Sequence, residues 1–213
     1  VQHPFIGVYL EPDEPSGSGR SEIPVVSHAS GGVGRMEPLR AWARNAAEGS
    51  SAALSLLWAS KADTAKCAAG GQLLREGRAV FLSKRIGTTQ AMRTRARLDS
   101  LNGGGSFDRG RVSQLAGEML CTINALRTGE YITPDSSLWP ELRSTIYDPR
   151  SSEREIRAVF GRLDLSLNEA MAWCDLPVRP RSREINELLE EVRAAERAPA
   201  GWLRRHFGLA AHH

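Results

Sequence analysis

Short apolar runs alternate with turn-forming residues at the start of the chain, and from Glu37 onward the apolar positions fall at helical spacing. FIGVYL, from Phe5 to Leu10, is short and partly β-branched and predicts a strand; the EPDEPSGSGR that follows has the Pro, Gly and Ser of a solvated connection. EIPVVSH predicts a second strand, and Pro24, which has no N–H to give to a ladder, places it at a sheet edge. ASGGVG is read as the turn that ends it. Leu39, Trp42, Ala43, Ala46 and Ala47 then recur three and four apart, the period of one helix face. EGSS interrupts that face. Ser50 or Ser51 can cap a second helix bearing Ala53, Leu54, Leu57 and Trp58.

GGQLLREGRAVFLS reads as a hairpin: an apolar pair, a turn at Arg75-Glu76-Gly77, then AVFL. Thr88 or Thr89 is placed to cap the helix that follows. LNGGGSFDRG contains three consecutive glycines and marks a boundary. It divides the chain into a mixed α/β region (1–102), a Gly-rich hinge (103–108) and a helical bundle (109–211), with one compact domain overall as the alternative. Within the bundle, Val112, Leu115, Ala116, Met119, Leu120, Ile123 and Leu126 make one apolar face. Ser152 with Glu155, and Ser166 with Glu169, have capping-box spacing and predict two further helix starts. Ile185, Leu188, Leu189 and Val192 follow the DLPVRPR connection, and a last short piece holds Trp202, Leu203 and Phe207. The fold class expected is α+β, predominantly helical: a small N-terminal β element with helices, then a bundle of five or six helices.

Charge changes the picture more than composition does. The net charge is +3, and 25 of the 28 basic residues are arginines. Residues 1–50 carry four bases and six acids, and 51–110 carry ten and four. Residues 111–150 carry four and five, and 151–213 ten and ten, so the excess is local. Its centre is the stretch from Arg78 to Arg97, with Lys84, Arg85, Arg93 and Arg95 between them, and no acid occurs from Ala79 to Leu98. If a helix opens at Thr89, Arg93 and Arg97 share one face and Arg95 sits roughly 160° around. Arginine forks bind phosphate oxygens in pairs, so Arg78, Lys84, Arg85, Arg93, Arg95 and Arg97 form a candidate site for nucleic acid or another polyanion. No aromatic residue lies between Phe81 and Phe107, which excludes a base-stacking platform there.

Other chemistry is sparse. Cys67, Cys121 and Cys174 are three thiols at wide spacing, matching neither a disulfide framework nor a zinc site. With no signal segment in the first twenty residues and no long apolar run, they suggest a cytoplasmic or other intracellular setting with no membrane partner. Val1 in place of Met suggests a processed product or a piece of a longer chain. Ser50 or Ser51 at a helix start, with Lys84 on the second strand of the hairpin, forms a candidate serine–lysine dyad. That arrangement resembles the Lon-like serine–lysine proteases, although the glycine that follows the nucleophile in that family is missing. Cys121 is a further weak nucleophile candidate, and His28 and His206 are the available bases. A helix-turn-helix over 166–192 is excluded by a connection, Asp175–Arg181, with two prolines and by the four acids of the would-be reading helix. No nucleotide-binding glycine motif, metal-ligand spacing or cofactor signature occurs.

Three function classes follow from these residues. The first is a basic helical protein that holds nucleic acid or another polyanion by backbone phosphates, in a packaging, replication or partition type of role. The second is a protein–protein interaction module or adaptor, with Trp139 and Trp202 as candidate anchors and an acidic protein surface as the basic run's partner. The third is a Ser–Lys or Cys-dependent hydrolase. Self-association is compatible with each.

Overall fold

The computed structural model describes residues 5–10, 25–27, 33–60, 67–100, 108–132 and 138–197. Three strands, β1 (Phe5–Tyr9), β2 (Val25–Ser27) and β3 (Val33–Pro38), precede eight α-helices among these residues. The helices are α1 (Leu39–Ala47), α2 (Ser51–Leu57), α3 (Ala69–Glu76), α4 (Arg85–Ser100), α5 (Arg109–Thr128), α6 (Leu138–Tyr147), α7 (Glu153–Trp173) and α8 (Ser182–Arg197), with a 3₁₀ turn at Arg78–Phe81. The chain is predominantly helical, with one small sheet.

The sheet order is β1-β3-β2, so the second expected strand does lie at an edge. Its central strand is one that periodicity missed. β3 runs parallel to β1, pairing Phe5 with Gly34 and Tyr9 with Pro38, and antiparallel to β2, pairing Val25 with Arg35. The segment was read as a turn leading into a helix. Its Gly34 carries no strand signal, and partners remote in sequence supply its ladder. Pro38 ends β3 and sits at the N-cap of α1, where its missing N–H costs the helix nothing.

The expected hairpin is absent. GGQLLRE is α3, and AVF lies in the 3₁₀ turn. The glycines read as strand punctuation are packing positions. A Cβ on Gly70 would lie 2.8 Å from Val192 Cγ1, and one on Gly77 would lie 2.8 Å from Leu188 Cδ2, so α8 rests directly on the α3 backbone. The Glu196 carboxylate accepts the Gly70 N–H at 2.5 Å, occupying one of the free donors at the start of α3. Phe81 is fully buried and meets Trp42 edge to face, with centroids 5.6 Å apart, which ties the 3₁₀ turn to α1.

α5 begins at Asp108, whose side chain accepts the Arg111 N–H, and ends at Gly129 in the left-handed conformation. All seven apolar residues read as its face are buried. The Ser152–Glu155 capping box forms, but no helix begins at Ser166; α7 runs unbroken through it. Ile156, Val159, Phe160, Leu163, Leu167 and Ala170 keep one helical stripe in phase across that point. The described residues between 109 and 197 thus hold four helices, one of which, α6, no apolar face in the sequence had marked, and the piece around Trp202 lies outside the described residues. Residues 103–107 of the expected hinge also lie outside them. Buried side chains from α1, α2, α3 and α4 join those from α5, α6, α7 and α8 in one apolar cluster, so the segments on either side of 103–108 share a core.

Candidate functional site: the basic helix and the outer face of α7

The basic run is distributed over the 3₁₀ turn, the link after it, and α4. α4 starts at Arg85, earlier than the threonines expected to cap it, so Arg85, Thr89 and Arg93 stand four apart on one face. That face meets the end of α1. Arg85 pairs with the Glu48 carboxylate at 2.8 Å, Thr89 Oγ1 donates to the Glu48 carbonyl at 2.8 Å, and Arg93 donates to the Gly49 carbonyl at 3.4 Å. The carbonyls that Thr89 and Arg93 reach belong to the turn after α1, at the negative end of its dipole, and Arg85 holds the carboxylate of the same turn. The cations thus close a helix end.

The remaining members divide. Arg97 pairs with Glu118 of α5 at 3.4 Å. Arg78 pairs with Glu130 at 3.2 Å and lies over the Trp58 ring, 5.3 Å from its centroid. Trp58 Nε1 donates to the same carboxylate at 2.6 Å, so one acid holds both groups. Arg95 is exposed and has no ion pair or hydrogen bond among the described residues. Lys84 is half-buried, and its backbone N–H donates to the Pro177 carbonyl at 2.8 Å. The acid-free stretch is therefore not unneutralised in space: Glu48, Glu118 and Glu130, remote in sequence, supply the carboxylates.

The serine–lysine arrangement loses its premise, since Lys84 lies in a link between helical turns and not on a strand. Ser50 occupies the N-cap position of α2 and Ser51 its first turn, and neither hydroxyl bonds to Lys84 among the described residues. Cys121 is half-buried on α5 beside Tyr131. Burial pushes the Tyr131 phenol well above its ordinary range, with Cys121 adding to the rise, so the hydroxyl stays neutral. No group of three or more His, Cys, Asp or Glu among the described residues could hold a metal ion, and no described helix is long and apolar enough to cross a membrane. His28, His206 and Trp202 lie outside the described residues, as does the side chain of Trp139. A groove of about 540 Å³ between α1 and α8 mixes Arg40, Arg44 and Arg193 with Glu48 and Glu190, so no single charge converges on it.

Leu165 and Trp173 are not among the residues that the sequence pattern singles out. Both fall off the buried stripe of α7, and they are 66% and 86% exposed. They stand eight residues apart, about 80° around the helix, on the side turned from the core. α4 packs on the flank of α7 that bears Arg157 and Met171, so Trp173 points away from it, and the two helices run antiparallel: a Cβ on Gly87 would touch Met171 near the start of α4, and Arg157 donates to the Leu98 carbonyl near its end. Met92, 69% exposed, is thereby level with Leu165. Val178, 73% exposed, lies in the α7–α8 connection pinned to Lys84. The phase of α7 was the available signal: once its stripe is assigned to the core, an apolar residue out of phase must face outward.

Comparison with protein families, with characterised proteins and with solved structures gives no match.

Proposed function

We propose that this protein is an interaction module whose outer α4–α7 surface docks a partner protein. One observation carries the reading: Leu165 and Trp173 stand 66% and 86% exposed on the outward side of α7, and Met92 is 69% exposed on the adjoining antiparallel α4. Single exposed apolar residues need no explanation, but a group on one surface favours an interface, and tryptophan is the side chain most enriched among those that dominate binding energy. The ion pairs of the basic run support the same choice, because Arg78, Arg85 and Arg97 already hold carboxylates of their own chain.

A photo-crosslinking amino acid at Leu165 tests this, with one at Arg183 on the exposed start of α8 as control. The expected result, in cells that make the protein, is a discrete adduct from position 165 and none from 183. Equal or absent adducts at both positions would overturn the reading.

Arg95 favours a second reading, polyanion binding, because it is exposed with no partner among the described residues, and the Arg85–Glu48 pair at the start of the same helix is half-exposed and easily exchanged for phosphate. A filter-binding titration with RNA and DNA at two salt concentrations checks it. Salt-sensitive retention lost in a Lys84→Ala/Arg85→Ala/Arg95→Ala variant is the supporting outcome.

A further inference from the structure

We infer that the partner docked on this surface is a second copy of the chain, paired antiparallel through α7. The inference rests on the interaction reading and names its partner. It starts from the outward side chains of that helix. Ala158, Leu165 and Ala172 recur every seven residues, all exposed, with Gly161 beside them. A Cβ added to Gly161 would meet nothing within 4 Å, so the surface is open there. Small residues flanking a central leucine let two helix backbones approach to about 8–10 Å.

The charges decide the direction. Arg162 and Glu169 are also seven apart and lie along one edge of the stripe, both exposed and neither with an ion pair or hydrogen bond among the described residues. In a parallel pair the twofold runs along the helices and puts the two Arg162–Glu169 edges on opposite sides of the seam, so neither charge would meet its complement. Antiparallel, a twofold axis between Leu165 and Ser166 carries Arg162 onto Glu169 of the other copy, twice. In antiparallel helix pairs, residues on the same edge of the seam face each other, so these two meet without distortion.

The same axis carries Trp173 onto Ala158. Trp173, 86% exposed, is thus brought to a small side chain on the stripe, with Gly161 one turn further along. Leu165 lies next to its own copy at the axis. Each of these features is matched by its own mate, which is what an isologous contact requires. One pair of helices about 30 Å long lies at the low end of specific interfaces, which sets the expected association in the micromolar class.

Sedimentation equilibrium of the full chain, from sub-micromolar to sub-millimolar concentration, tests the proposal. The expected result is a monomer–dimer equilibrium. Arg162→Glu alone and Glu169→Arg alone should each weaken it about tenfold or more, and the double exchange Arg162→Glu/Glu169→Arg should restore it. Trp173→Ser should weaken it independently of charge. A wild-type chain that stays monomeric, or a dimer that ignores both charge reversals, would overturn the proposal. A monomer that still gives a discrete adduct at position 165 with a different protein would leave the interaction reading standing and remove only this one.

Discussion

A Cβ placed on Gly49 would stand 2.8 Å from the Cα of Ile86. The turn after α1 therefore lies directly against the backbone of α4, with no side chain between them. Gly49 also has φ +83°, a conformation that β-carbons disfavour. These two constraints are separable, because Gly129 has a similar φ of +77° with nothing within 4 Å of an added Cβ. Gly129→Ala should cost about 1 kcal/mol, the conformational term alone. Gly49→Ala should cost about 3 kcal/mol, since backbone must move as well. Urea unfolding midpoints compare the two, and equal losses would show that the contact with α4 carries no weight.

The arginines of α4 should differ in what they contribute to stability. The Arg85–Glu48 pair has both side chains about half exposed, at 52% and 54%, so Arg85→Ala should cost less than about 1 kcal/mol. Arg97 faces a Glu118 side chain that is only 14% exposed. Removing Arg97 leaves that carboxylate poorly hydrated and short of a partner, and the loss should be about 1–2 kcal/mol after allowing for the exposure of Arg97 itself. Arg95→Ala should leave the midpoint unchanged. Thermal or urea unfolding of the three variants gives the order, and a costly Arg95→Ala would contradict the pairing described.

Acid should loosen the start of α7 through one identifiable carboxylate. Hydrogen bonds from the Ser152 backbone N–H and hydroxyl hold the Glu155 carboxyl below its ordinary range. A carboxyl depressed in the folded state binds its proton more readily when unfolded. Its stabilising contribution is therefore present above the unfolded value, about 4.3, and is lost as the pH falls through the folded one. The melting temperature of Glu155→Gln, which mimics the protonated carboxyl, should fall below that of the parent at neutral pH, and the gap should narrow as the solution is acidified through the carboxylate range. A gap that stays constant with pH would mean that the capping box is not the source.

Where the apolar stripe was long, the chain's own periodicity was enough. The buried faces of α1, α5 and α8 and the cap at Ser152 follow from spacings of three and four and from local hydrogen bonding, which need no distant partner. The sheet edge at Val25–Ser27 and the predominantly helical class were legible for the same reason. Short or glycine-bearing segments were not. VGRMEP becomes the central strand because β1 and β2 bond to it, and GGQLLRE becomes a helix because α8 needs its glycines for close approach.

The candidate site divides along the same line. The linear chain determined that Arg78, Lys84, Arg85, Arg93, Arg95 and Arg97 cluster with no acid among them, and that Leu165 and Trp173 fall out of phase with a buried stripe. Only the tertiary structure decided that Glu48, Glu118 and Glu130 come back to neutralise Arg85, Arg97 and Arg78, while Arg162 and Glu169 are left without partners among the described residues. Periodicity is a property of neighbours along one helix, so it survives in the sequence alone. Charge pairing acts across space with no regard for chain distance, so it waits on the packing of α1, α4 and α5.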